Sequence, residues 1–385
     1  MTTMTRQRSP LIEVIGSFGL LGITAFGGPT AHLGYFREEF VARRKWLSEQ
    51  AYAEVVALAQ FLPGPASSQV GMALGYHRAG WAGMMAAWLM FTLPSAIALG
   101  AFGLLLTAGD AQQGWIGGLL AAAVAVVFHA VSGMAKAMAS TRATATIAVV
   151  AGIIVLSVPG SWTHLVVIIG AGLLGVLALP ADPATNSEDM GLRPVSLRAA
   201  AIALGLFIAL FAAAAFIGGR AAAYFHAGSL VFGGGHVVLP LLERLTVATG
   251  WIDQAEFLAG YSAAQAVPGP LFTFAAYLGA VDRGVAGAVV ATVAIFAPAA
   301  LLMIGGMHFW GRMRHHAGVR KAVGAINAAV VGLLGAALWD PVITHGITGT
   351  ASLAIAAGCW LGLAVWKLPP WLVAAGAALA GAALL

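Results

Sequence analysis

Apolar runs of about twenty residues recur along the whole chain and are separated by short polar breaks. That is the length needed to cross a hydrocarbon core as an α-helix. The pattern predicts spans near 11–30, 51–77, 81–106, 114–136, 143–158 and 162–179, then near 198–217, 221–241, 254–280, 285–309, 319–339, 347–366 and 369–385. The one long polar interruption, PADPATNSEDMGLRPVS from Pro180 to Ser196, reads as a linker. The polar start, MTTMTRQRSP, precedes a run with no small-residue cleavage site, so it reads as a retained cytoplasmic tail rather than a signal peptide.

The breaks themselves repeat. Phe26-Gly27-Gly28, Trp46, Gln60, Pro63-Gly64-Pro65 and Pro94 are followed in the same order by Phe232-Gly233-Gly234, Trp251, Gln265, Pro268-Gly269-Pro270 and Pro298, at offsets of 206, 205, 205, 205 and 204. Each repeat holds six spans, and the span at 198–217 has no counterpart. One extra crossing between two six-span units turns the second upside down, an arrangement common in secondary transporters. The expected fold is therefore an all-α polytopic membrane protein of about 13 spans. It has an N-terminal repeat (1–180), a polar linker plus linking transmembrane helix (181–218) and an inverted C-terminal repeat (219–385), with both repeats broken at PGP.

Composition narrows the class. Of 385 residues, 60% are hydrophobic and 9% charged, and the mean hydropathy is +0.91. Soluble domains carry roughly 25% charged residues. A β-barrel would show short alternating segments, and none stand out. The pI near 9.7 does not point to nucleic acid, because the 19 Lys and Arg sit mostly in short loops between spans. With the N-terminus in the cytoplasm, 13 of them fall inside and six outside, which favours that orientation. The single cysteine, Cys359, excludes an internal disulfide or a Cys-rich metal site. No HExxH, catalytic loop or GxxxxGK[ST] is present, so neither a membrane-embedded enzyme nor an ATP-driven pump is expected, and no cofactor or metal.

A proline suits the first turn of a helix, so PGP inside a span reads as the end of one half-helix and the start of another. Such a break survives in lipid only when buried in protein or lining a wet cavity. The second half-helix then offers unpaired N–H groups and a partial positive charge to an anion. Candidate binding residues at the first break are Gln60, Pro63, Gly64, Pro65, Ser67 and Ser68, with Gln69 beside them. At the second they are Gln265, Pro268, Gly269, Pro270 and Thr273. A kink made only for helix packing is the competing reading. The clusters FGGPTAH (Gly27, Gly28) and FGGGHVV (Gly233, Gly234, Gly235, His236) are read as unwound segments facing the breaks, against close helix packing as the alternative. Ionisable residues in spans count as functional candidates. Those considered for a proton or counter-ion role are Glu38, Glu54, Glu243, His32 and Arg37. The stretch YFREEFVARRKW is amphipathic and reads either as a basic vestibule or as an interfacial helix with solvated charges.

FGGPTAHLGYFREEFVARRKWL with ALAQFLPGPASSQVGMALGY, and VFGGGHVVLPLLE with YSAAQAVPGPLFTFAAYLG, resemble the chromate ion transporter family across both halves. The resemblance implies a long-chain, two-repeat member that exports chromate across the cytoplasmic (inner) membrane, confers chromate resistance and is energised by the proton gradient or membrane potential. The implied partners are chromate or a sulfate-like oxyanion and the lipid bilayer, with a homodimer as the one protein association considered. A sulfate or other oxyanion permease or channel would use the same half-helix design. ASSQ follows the first PGP and LFTF the second, so the resemblance leaves open which half holds the anion.

Overall fold

In the computed structural model, residues 9–26, 28–107, 114–158, 163–180, 191–231, 238–313 and 316–385 are described. The described residues are almost entirely helical. In the first half they form α1 (Pro10–Thr24), α2 (Gly28–Phe36), a π-helical turn (Arg37–Arg43), α3 (Glu49–Phe61), α4 (Ala66–Thr107), α5 (Gly114–Met138), α6 (Arg142–Ser157) and α7 (Thr163–Ala178). A linking helix, α8 (Leu197–Ile217), follows. The second half comprises α9 (Arg220–Leu230), α10 (Val238–Thr246), α11 (Gln254–Ala266), a 3-10 turn (Leu271–Thr273), α12 (Phe274–Met313), α13 (Ala317–Ala337), α14 (Thr344–Gly346), α15 (Thr350–Ala364) and α16 (Pro370–Leu384), with a π-helical stretch (Leu338–Ile343) joining α13 to α14. Among the described residues, five helices are long and apolar enough to cross a membrane, and five shorter apolar ones accompany them. This is a multi-pass membrane protein.

Local chemistry starts the helices at matched places. The Ser48 hydroxyl accepts from Ala51 N–H to cap α3, and Asp253 with Glu256 forms a capping box at the equivalent start of α11. A straight helix as long as α4 would measure about 60 Å, twice the hydrocarbon core. It folds back instead at Ala79–Gly80, and α12 does the same at Arg283–Gly284. Gly80 (φ +64°, ψ −152°) and Gly284 (φ +63°, ψ −154°) take a backbone conformation that a side chain would strain. Gly75 faces Gly83 across the first hairpin and Gly279 faces Gly287 across the second, so the arms touch backbone to backbone.

The two halves are interleaved rather than side by side. α4 packs on α12 along much of its length. Beyond that, α6 and α7 of the first half lie on α13 of the second, while α15 and α16 of the second lie on α5 of the first. Small residues permit these crossings: Gly175 meets Ala325 between α7 and α13, and Gly118 meets Ala377 and Gly381 between α5 and α16. Each half thus lends its last two helices to the other.

The run expected as one span over 11–30 is two elements. α1 ends at Thr24, where the chain turns extended at Ala25, and α2 starts at Gly28 with φ +75°. The described end of the linker docks on the first hairpin: Tyr76 donates its hydroxyl to Pro194 O (3.2 Å), and Arg193 N–H donates to His77 Nδ1 (3.2 Å).

Candidate functional site

Both PGP segments lie between helices. α3 is capped at Leu62 and α4 begins at Ala66, while α11 is capped at Val267 and the 3-10 turn begins at Leu271. Gly64 has φ +123° and Gly269 φ +97°, conformations that favour glycine. Their N–H groups are used in a crossed pattern. Gly64 N–H donates to Val231 O at 2.7 Å, and Gly269 N–H donates to Ala25 O at 3.0 Å. Ala25 and Val231 are fully buried and each precedes the glycine cluster of its own half. Each broken segment is therefore fastened to the residue that ends the first helix of the opposite half, Val231 after α9 or Ala25 after α1.

The bent arms complete the enclosure, again crosswise. A Cβ on Gly64 would stand 2.9 Å from Ala299 Cβ, next to Pro298. A Cβ on Gly269 would stand 2.7 Å from Ser95 Oγ and 3.1 Å from Phe91 O, next to Pro94. His32, fully buried, reaches Ala25 O through Nε2 (3.1 Å) and sets its ring edge-on to Phe91 with centroids 5.2 Å apart. Ala25 O therefore joins His32, α1 and the second PGP.

Polar atoms around the breaks are buried and several have no protein partner. Ser67, Ser68 and Gln69 occupy the first turn of α4 and are buried. Gln69 Nε2 donates to Pro63 O at 2.9 Å, while Gln69 Oε1 and Ser68 Oγ are unpartnered. Thr273 donates to Pro270 O at 2.7 Å. Gln265 is half-buried; its side chain bonds the hydroxyl of the buried Tyr261, and its Nε2 is unpartnered. Gln60, in contrast, is exposed, about 200° round α3 from the buried Leu58. Gly27, Gly233, Gly234, Gly235 and His236 lie outside the described residues; Gly28, Pro63, Pro65, Pro268 and Pro270 fall in the interrupted segments or at their edges.

The ionisable candidates separate. Glu54 is buried and accepts from Trp310 Nε1 at 2.7 Å, a bond from α12 to α3. Glu38 is exposed, and so is Arg37, which grips Glu49 through two 2.8 Å bonds. The buried acid of that turn is Glu39, held by Arg43 and by Arg44 at 2.6 Å. The π-helical turn buries Phe36 and Phe40 against Phe18, which places Glu38 on the outer side and Glu39 on the inner one. Glu243 is half-buried on α10, and its neighbour Arg244 bonds His164.

Buried polar groups that the sequence reading did not name are Thr92, Ser95, Trp88 and Ser262, of which Ser95 comes to Gly269. Ser95 and Ser262 are 1% exposed and Thr92 2%. Thr92 Oγ1, Ser262 Oγ and Trp88 Nε1 have no partner. Ser95 stands in the FTLPS landmark, and a hydroxyl beside a proline kink was the available signal.

The sequence profile of the chromate transporter family matches residues 12–176 and again residues 218–382. The chain belongs to the chromate transporter family. Both matched segments are displaced by 206 positions (12 to 218, 176 to 382), so the family's unit is the repeat read from the landmarks. Among curated members, the chromate transport protein of Pseudomonas aeruginosa is 29% identical over 342 residues, covering 85% of this chain and 80% of its own. A probable chromate transport protein of Synechococcus elongatus is 28% identical over 83% of this chain and 81% of its own. The chromate transport protein of Cupriavidus metallidurans is 25% identical over 96% and 92%. No solved structure matches. Membership makes the chain a transporter and not an enzyme.

Proposed function

We propose that the protein is a secondary transporter that exports chromate, a tetrahedral dianion, across the cytoplasmic membrane and so confers chromate resistance. The observation that carries this reading is the crossed fastening of the two interrupted segments, Gly64 to Val231 and Gly269 to Ala25. Unpartnered buried atoms flank the fastened segments, Ser68 Oγ after the first PGP and Gln265 Nε2 before the second, and support the reading. Amides and hydroxyls at helix ends suit a tetrahedral oxyanion. A site without buried guanidinium binds weakly enough to release its cargo.

In this reading the protein makes about 13 crossings, with the N-terminus in the cytoplasm and the second repeat inverted. The substrate residues are those of the two PGP segments and the glycine clusters, including Gly27, Gly233, Gly234, Gly235 and His236. The membrane potential drives export at about 2.3 kcal/mol per charge per 100 mV, or a proton enters through Glu54. Uptake of chromate and of sulfate into everted vesicles, with and without a proton gradient, tests it. Chromate entry is expected. Sulfate entry without chromate entry would make the protein a sulfate permease, and a folded protein that moves neither anion would end the oxyanion reading.

A further inference from the structure

A cavity of about 310 Å³ lies beside the second hairpin, lined by Arg220, Tyr224, Gly279, Asp282, Arg283 and Val290, among others. No residue of either PGP segment lines it. Asp282 is held by Arg220 through two bonds, one of them Nη2 to Oδ1 at 2.9 Å, and the Arg220 guanidinium lies 4.7 Å over the Trp251 ring. The carboxylate is therefore already answered. Arg283 stands 4.0 Å from the same carboxylate, and its side chain is 64% exposed. Tyr224 is 2% exposed, and its hydroxyl has no partner. Two guanidiniums, one carboxylate and a free hydroxyl leave the cavity net positive, with a donor to spare.

The first hairpin shows how the chain closes the equivalent place. There the linker brings Arg193 Nη1 to 3.0 Å from where a Cβ on Gly80 would sit, with its guanidinium 5.9 Å over the Tyr76 ring. At Gly284, the matching glycine, no atom comes within 4 Å of that position among the described residues. Val290 of the cavity lining is exposed, and about 100° round α12 Val285, Val289 and Val293 form an exposed apolar strip that walls a groove with Leu89, Leu93 and Ile97. A ligand seated here meets cationic groups at one end and hydrocarbon along the other.

We infer that the cavity beside Arg283 and Tyr224 is a phospholipid site that takes the phosphate of an anionic headgroup, with the acyl chains lying on the valine strip. The shared chemistry is a tetrahedral phosphate, which a free oxyanion also offers; the apolar strip favours the lipid. A guanidinium is well suited to a phosphate because its N–H groups form charge-assisted bonds to the phosphate oxygens.

The test uses the full-length purified protein in neutral detergent, titrated with phosphatidylglycerol or phosphatidylcholine and read by native mass spectrometry. Retention of phosphatidylglycerol over phosphatidylcholine is expected. Arg283→Gln should weaken it about fivefold, in line with one basic residue at a membrane surface, and Tyr224→Phe should weaken it less. Because Arg283 is exposed and Tyr224→Phe removes only a hydroxyl, both variants should keep the wild-type elution profile. Equal retention by wild type and Arg283→Gln would overturn the site. Displacement of the lipid by inorganic phosphate would overturn the lipid assignment in favour of a free oxyanion. Lipid retention is measured without transport, so failure here leaves the chromate reading standing.

Discussion

Gly64→Ala should destabilise the protein through a contact that no reading of one half alone would foresee. Two costs add. The backbone at φ +123° charges any side chain about 1–3 kcal/mol. The new methyl would also stand 2.9 Å from Ala299 Cβ and 3.4 Å from Ala299 Cα, and overpacking of that kind costs about 1–3 kcal/mol. The expected loss is therefore about 2–6 kcal/mol. At roughly 2 °C per kcal/mol, the apparent Tm should fall by about 4–12 °C. Thermal unfolding in detergent, followed by the fluorescence of the 11 tryptophans, reads it. The decisive comparison adds Ala299→Gly, which alone costs about 1 kcal/mol as a glycine inside a helix. If the overlap is real, the double variant should be less damaged than the sum of the singles by about 1–2 kcal/mol, because the two sites share a contact. Strict additivity would refute the cross-repeat contact, and an unshifted Gly64→Ala would refute the strained break as well.

Other consequences are sharper in direction than in size. Exchanging the partners of the Glu13–Arg78 pair (2.6 Å) should return most of the stability that Arg78→Glu alone removes, about 1–2 kcal/mol; equal melting of single and double variants would contradict this. Gln265→Ala should raise the KM for chromate uptake more than Gln60→Ala, since Gln265 has a buried, unpartnered Nε2 while Gln60 is exposed. Equal effects would return Gln265 to a packing role. Trp310→Phe removes a 2.7 Å donor from the buried Glu54 and should cost about 1–3 kcal/mol, visible in the same melting assay, whereas Arg37→Ala should leave transport unchanged.

The repeat and the helical class were legible because both are written in one dimension. Apolar length reports bilayer thickness, and PGP and Gly-Gly punctuation keeps its order at near-constant offset. The hairpins at Ala79–Gly80 and Arg283–Gly284 fall where the predicted spans part. The crossing was not legible. Nothing in the stretch around Gly64 names Val231 or Ala299 as neighbours, since those contacts join residues more than 160 positions apart. The sequence does not show that Glu39 rather than Glu38 is the buried acid, because adjacent residues in a short helical turn differ by about 100° and the turn is π-helical, which shifts the register. Gln60 drew notice by matching Gln265, yet the face it occupies on α3 is set by Leu58 and the arm of α12 that packs there.

Divergence between the halves shows what the fold requires. In the first half Glu13 opens the entering helix and Arg78 precedes the hairpin glycine; in the second, Arg220 opens the helix and Asp282 precedes the hairpin. The charges have changed places, yet in both the guanidinium lies over the equivalent tryptophan, Trp46 at 5.5 Å and Trp251 at 4.7 Å. The clamp thus depends on having one ion pair and one ring, not on which helix carries the cation. The same reasoning applies to the breaks. At the first, the hydroxyls Ser67 and Ser68 come from the half-helix that follows; at the second, Phe272 and Thr273 stand in those places, so one hydroxyl is kept there and Ser95 of the opposite half comes to Gly269 as well. Crossed fastening brings residues of one half to the break of the other, so two segments unlike in sequence each have hydroxyl groups beside them. An oxyanion site of the kind proposed would therefore draw on both segments, since each break is fastened by the opposite half.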